Sequence, residues 1–231
     1  MINEAIRNNV YIKVEHDPDT ESPFEYDCFE FVNGFTNRDR YCKLRGELPL
    51  EDLDKTWWLL NCYRHGGEVW SLAGEGYECR FDTSHYCGLL HLPSKDPSEV
   101  GGDATAAARS VLDVYNEWVS GNCWWYRIEY AEYVFQEGTC PCCETPDVTV
   151  REDRLVEFDS CGGFIGTEHV QQEIKDALKT LFEANPYLLK GDVHVKSDSD
   201  YLETDLAHDI EDLVKALKEE NHAETISKIT S

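Results

Sequence analysis

Cys123-Trp124-Trp125-Tyr126-Arg127-Ile128-Glu129-Tyr130, followed by Tyr133-Val134-Phe135, is the strongest β signal in the chain. Aromatic and β-branched residues dominate it, and such side chains fit a pleated, half-buried surface. Adjacent strand residues point to opposite faces, so one of Trp124 and Trp125 belongs to a core and the other does not. A second β segment spans 147–158. The cysteine-rich turn 140–146 joins the two, and the pair reads as a hairpin.

Working outward, Val10-Tyr11-Ile12-Lys13-Val14 reads as an opening strand. Residues 51–64 read as a short helix, with Leu53, Trp57 and Leu60 on one face and Gly66-Gly67 as the stop. Segments 68–73 and 77–92 read as strands. Asp103 is placed to cap a helix carrying Ala108, Val111, Leu112, Tyr115 and Trp118, which Gly121-Asn122 ends. Thr167 is expected to cap the next helix, with Val170, Ile174, Leu178 and Leu181 at helical spacing. A strand at 192–196 leads into a last helix over about 199–221, with Leu202, Leu206, Ile210, Leu213 and Leu217 as its apolar stripe.

This pattern predicts an α+β fold: antiparallel sheet or hairpins packed with about four helices, the last acidic and amphipathic. A core over 1–190 is expected, with the strand and helix of 191–231 docked on it, because that helix has an apolar face to cover. No apolar run approaches the ~18 residues that span a bilayer. Met1-Ile2-Asn3-Glu4 lacks the basic-then-apolar pattern of a signal peptide, so the expected location is the cytoplasm. Ten cysteines fit a reducing compartment as buried or unliganded thiols.

The formal net charge is −25, from 46 Asp+Glu against 21 Lys+Arg. Such a surface repels nucleic acid and anionic membranes and attracts a basic partner. Residues 144–212 concentrate the excess, with 18 acids against 6 bases. Asp198, Asp205, Asp209, Asp212 and Glu219 fall along one side of the last helix, away from the apolar stripe. A row of carboxylates at helical rise approaches the charge density of a phosphate backbone, which carries one charge per ~1.7 Å of duplex. The competing explanation is a solvated face that keeps the protein soluble.

Cys140-Pro141-Cys142-Cys143 contains a C-x-x-C, with Cys161 further on. Two thiolates on a tight turn can begin a tetrahedral zinc site, and Cys140, Cys143 and Cys161 are the candidate ligands. Cys142, Cys123 and His169 compete to complete it. No second C-x-x-C or H-x-x-x-H completes the pattern, so reduced, unliganded cysteines at a hairpin tip are the alternative. Cys161 with Asp159 and His169 can also be drawn as a thiol nucleophile and its base. There is no G-x-S-x-G, H-E-x-x-H or Walker-type loop. The residues assemble no catalytic constellation, and no catalytic residue is assigned.

Several stretches resemble a widespread group of uncharacterised proteins encoded by tailed bacteriophages. They are Asp17-Pro18 with Glu21-Ser22-Pro23, Trp70-Ser71-Leu72, Cys79-Arg80-Phe81-Asp82-Thr83-Ser84 with Gly88-Leu89, and Val114-Tyr115-Asn116-Glu117-Trp118 with Gly121-Asn122 and Trp125-Tyr126. The most specific is Asp159-Ser160-Cys161-Gly162-Gly163-Phe164-Ile165-Gly166, leading to His169-Val170. An aromatic usually stands at the position of Gly162, and this chain departs there. The resemblance carries no activity. It implies a phage gene expressed in a bacterial cytoplasm and favours host takeover or counter-defence. Together with the charge, it suggests a non-enzymatic inhibitor that blocks a basic, nucleic-acid-handling bacterial protein as a partial DNA or RNA mimic. The alternatives are a zinc-stabilised protein-interaction module and an unrecognised metal- or thiol-dependent phage enzyme. The last helix also offers a homodimer face.

Overall fold

The described residues form eight strands and four α-helices. In chain order they are β1 (Val10–His16), β2 (Glu30–Asn33), α1 (Arg38–Glu47), β3 (Trp57–Arg64), β4 (Glu68–Leu72), β5 (Thr83–His91), α2 (Ala104–Val119), β6 (Cys123–Thr139), β7 (Pro146–Ile165), α3 (Thr167–Ala184), β8 (Val193–Lys196) and α4 (Tyr201–Thr230). The computed structural model describes residues 9–93, 100–139, 146–196 and 201–230; within these, side chains are described except at 132–153, 187, 190, 201–204 and 221–230. The fold is α+β, with two four-stranded sheets.

The chain forms two units, Met1–Pro18 with Trp124–Ser231, and Asp19–Cys123. Residues 191–231 share a unit with β1, β6, β7 and α3.

In the first unit the sheet order is β7-β6-β1-β8. β1 runs antiparallel to β6, with Ile12 opposite Ile128, and parallel to β8, with Ile12 opposite Val195. β6 and β7 are joined by six residues, too few for a parallel crossover, so they pair as the expected hairpin. Val10, Ile12 and Val14 of β1 and Trp124, Tyr126 and Ile128 of β6 are buried. Onto them pack Val170, Ile174, Leu178, Leu181 and Phe182 of α3, and Leu206, Ile210, Val214 and Leu217 of α4. Trp125 lies on the other face of the sheet, with the Lys13 ammonium 5.4 Å and the Arg127 guanidinium 5.8 Å from its ring.

In the second unit the order is β2-β5-β3-β4. Trp58, Leu60 and Cys62 of β3, Trp70 and Leu72 of β4 and Leu90 of β5 are buried with Ala108, Val111, Leu112 and Tyr115 of α2. The Asp103 carboxylate caps α2, accepting from the Thr105 and Ala106 amides at 3.1 and 3.0 Å. Gly121, at φ +80°, follows the helix as its stop.

Two expectations are corrected. Residues 51–64 are not a helix: a 3-10 turn at Leu50–Asp52 precedes strand β3. The spacing of Leu53, Trp57 and Leu60 imitates a helix, but burial follows the period of two, through Trp58, Leu60 and Cys62. The cap of α3 is Gly166, at φ +86° and without a side-chain cap bond, and Thr167 is already helical. α1 and β2 were not anticipated, because α1 has no buried residue and so no apolar period.

Candidate functional site

The burial of Leu206, Ile210, Val214 and Leu217 fixes the rotation of α4. It leaves Asp205, Asp209, Asp212 and Glu219 exposed, spanning about 21 Å at 1.5 Å rise per residue. Asp198 lies outside the described residues. α3 packs beside α4, and the Gln171 amide donates to Asp209 Oδ2 at 3.0 Å. Glu168, Glu173, Asp176 and Glu183 of α3 are exposed too, so the acidic surface extends over both helices.

The row is not uniformly negative. Lys215 Nζ donates to Asp212 Oδ1 at 2.7 Å. That bond holds the Asp212 carboxyl below its ordinary value and raises the Lys215 ammonium above its own. His208 Nε2 lies 3.8 Å from Asp212 and its Nδ1 3.9 Å from Glu211. Lys218 points the other way, donating to the Gly191 carbonyl at 2.6 Å, and its burial lowers its pKa. Asp205 and Glu219 at the ends are the carboxylates least offset along the row.

Of the candidate zinc ligands, Cys140 and Cys143 lie outside the described residues. Cys161 is exposed, its thiol directed at the Gly162 carbonyl at 3.8 Å. Among the described residues, no three His, Cys, Asp or Glu side chains gather as a metal site. In the drawn thiol triad, the base and its orienting carboxylate both have other partners. Asp159 accepts from the Tyr126 hydroxyl at 2.6 Å, and His169 Nδ1 meets the Ile165 carbonyl at 2.6 Å. Burial, then the bond to Asp159, push the Tyr126 phenol well above its ordinary value, which keeps it a donor.

The stretches that carried the resemblance instead brace each unit. Asn116 clamps α2 to β4, accepting from the Trp70 amide at 2.7 Å and donating to the Trp70 carbonyl at 2.9 Å. The Thr83 hydroxyl ties the Cys79 amide at 2.8 Å to the Tyr77 carbonyl at 3.1 Å. Trp118 Nε1 donates to the Thr20 carbonyl at 2.9 Å. Asp17 Oδ2 accepts from the Gly163 amide at 2.8 Å.

Two hollows belong to the second unit. One, of about 320 Å³, is bordered by Tyr26, Phe29, Val111 and Val114 and is mainly apolar. The other, of about 630 Å³, is bordered by Asp52, Asp54, Lys55, Asp103 and Thr105. Its Asp103 is committed to capping α2, and the Thr105 hydroxyl donates to the Asp54 carbonyl at 3.3 Å.

A cationic helix, α1, escaped the sequence reading. Its signal is compositional: Arg38, Arg40, Lys43 and Arg45 in eight residues of a strongly acidic chain. Compared with models of known families, with curated proteins and with solved structures, the chain matches none.

Proposed function

We propose that this protein is a phage-encoded binding protein, not an enzyme, that blocks a basic nucleic-acid-handling protein of the bacterial host. Its acidic helices would occupy a groove lined with Lys and Arg, standing in for DNA or RNA. The observation that carries the reading is the exposed row Asp205, Asp209, Asp212 and Glu219, turned outward by the burial of the opposite stripe of α4. The −25 net charge and the resemblance to phage proteins support it.

The test is affinity capture from host lysate at low salt, compared with the triple variant Asp205→Asn, Asp209→Asn, Asp212→Asn. The expected result is one basic nucleic-acid-binding protein, displaced by competing DNA and lost with the variant. Exposed charges are screened over ~10 Å at 0.1 M salt, so capture also falls steeply with salt. Capture that resists both DNA and salt and survives the triple substitution overturns the reading.

A further inference from the structure

The second unit carries a surface of the opposite sign. Residues 31–46 contain Arg38, Arg40, Lys43 and Arg45 against a single carboxylate, Asp39. All four cations are exposed, on a helix with no buried residue. Arg40 lies 3.5 Å from Glu30, and Arg64 of β3 pairs with Glu68. Arg38 and Lys43 have no ion pair among the described residues.

Aromatic rings stand among these cations. Phe35 is 40% exposed, and the Arg64 guanidinium lies 3.7 Å over its ring. Tyr86 is 52% exposed, with the Arg45 guanidinium 6.0 Å from its ring. Tyr86 is held outward by its backbone. It sits at φ +51°, where a bulky residue is a rarity, and its amide donates to the buried Asn61 Oδ1 at 3.0 Å. The Tyr41 hydroxyl of α1 donates to the Tyr86 carbonyl, locking helix to strand. Burial raises the Tyr41 phenol, which keeps that donor protonated.

Exposed rings interleaved with cations suit a polymer that offers both flat bases and phosphates. A duplex hides its bases and would use the cations alone. A second copy's acidic helices would also leave Phe35 and Tyr86 unused.

We infer that the surface formed by Phe35, Tyr86 and the two arginines that share one side of α1, Arg38 and Arg45, binds single-stranded nucleic acid, with bases against the two rings and phosphates on the two cations. This site is separate from the acidic helices and does not depend on their partner. Phosphate contacts to exposed cations make binding salt-sensitive.

The test is fluorescence anisotropy with a labelled oligothymidylate of about 20 nucleotides at about 50 mM salt, on the full chain. Saturable binding is expected, with log K falling against log salt at a slope of about −1.4, from two phosphates at about 0.7 each. Arg38→Glu with Arg45→Glu should weaken it at least tenfold. The milder pair Arg38→Ala and Arg45→Ala should weaken it less, with unchanged thermal melting. The triple Asp→Asn variant of α4 should bind the strand as well or better. No binding at low salt overturns the inference, as does equal binding by the charge-reversed variant. A charge reversal that alters sedimentation but not anisotropy also overturns it, and makes the surface a contact between copies.

Discussion

Asp17 and Gly163, 146 residues apart in sequence, are joined by one hydrogen bond, from the Gly163 amide to Asp17 Oδ2 at 2.8 Å. The same carboxylate oxygen lies 2.7 Å from where a Cβ on Gly162 would stand, and Trp125 Cβ lies 3.2 Å from it. Asp17 cannot yield to a side chain at 162 without leaving the Gly163 amide. Gly162→Ala should therefore lower stability by about 1–3 kcal/mol, the usual cost of overpacking. Asp17→Ala should also destabilise. The double variant should cost less than the sum of the two, because removing the carboxylate clears the space. Denaturant melts of the four proteins measure this, and strict additivity would rule out the shared seat.

The Tyr126 hydroxyl and Asp159 give a pH-dependent prediction. Tyr126→Phe should cost about 2 kcal/mol at neutral pH, as expected for a hydrogen bond to a charged group. The folded phenol titrates above its unfolded value, so the neutral form carries the stabilisation. That contribution is complete below the unfolded value of about 10 and is lost as pH rises through the folded one. The melting difference between wild type and Tyr126→Phe should hold through neutral pH and close in strong alkali. A gap that persists unchanged there would assign the cost to packing.

Asn116 presents both ends of its amide to the backbone of Trp70. Asn116→Leu removes both partners while keeping most of the volume. Two part-buried backbone groups are then left unpaired, at about 1–3 kcal/mol each. Asn116→Asp keeps the acceptor and loses the donor, so it should fall between wild type and Asn116→Leu in urea melts. Equal stability of all three would show that water replaces the clamp.

The thiols should separate by environment. Cys28, Cys42 and Cys161 are exposed, whereas Cys62 and Cys123 are buried. The neighbouring Cys87 thiol, and then burial, push the Cys62 thiol up, and the same pairing lowers Cys87. Alkylation of the native protein followed by mass spectrometry should mark 28, 42 and 161 first, and 62 and 123 only on unfolding. Early labelling of Cys62 would mean that β3 opens on its own.

The elements legible in the sequence are those whose side chains report their own burial. The alternation of Val10, Ile12 and Val14 and the stripe of Leu206, Ile210 and Leu217 are visible because a core demands them. Asp103 was legible as a cap because its chemistry is local. β3 was misread because two apolar faces of one strand can mimic one face of a helix. The braces Asp17–Gly163 and Asn116–Trp70 are pairings across long sequence distances, which a single chain does not print. The acidic row was visible as spacing, but its partial neutralisation by Lys215 was not. The cationic patch was missed because its members come from the turn before α1, from α1 and from β5, and α1 has no apolar signature.

The insertion of residues 19–123 into the first unit has a consequence for synthesis. β1 leaves the ribosome early, yet both of its hydrogen-bonding neighbours, β6 and β8, come after the inserted unit. The inserted segment is continuous and can fold as soon as it emerges, while β1 waits with both edges unmatched. Its alternating valines and isoleucine are the kind of strand that other nascent chains or chaperones capture. Pausing translation before Trp124 should therefore leave a folded centre beside an adhesive N-terminal strand, and release should bury that strand only once β8 and α4 arrive.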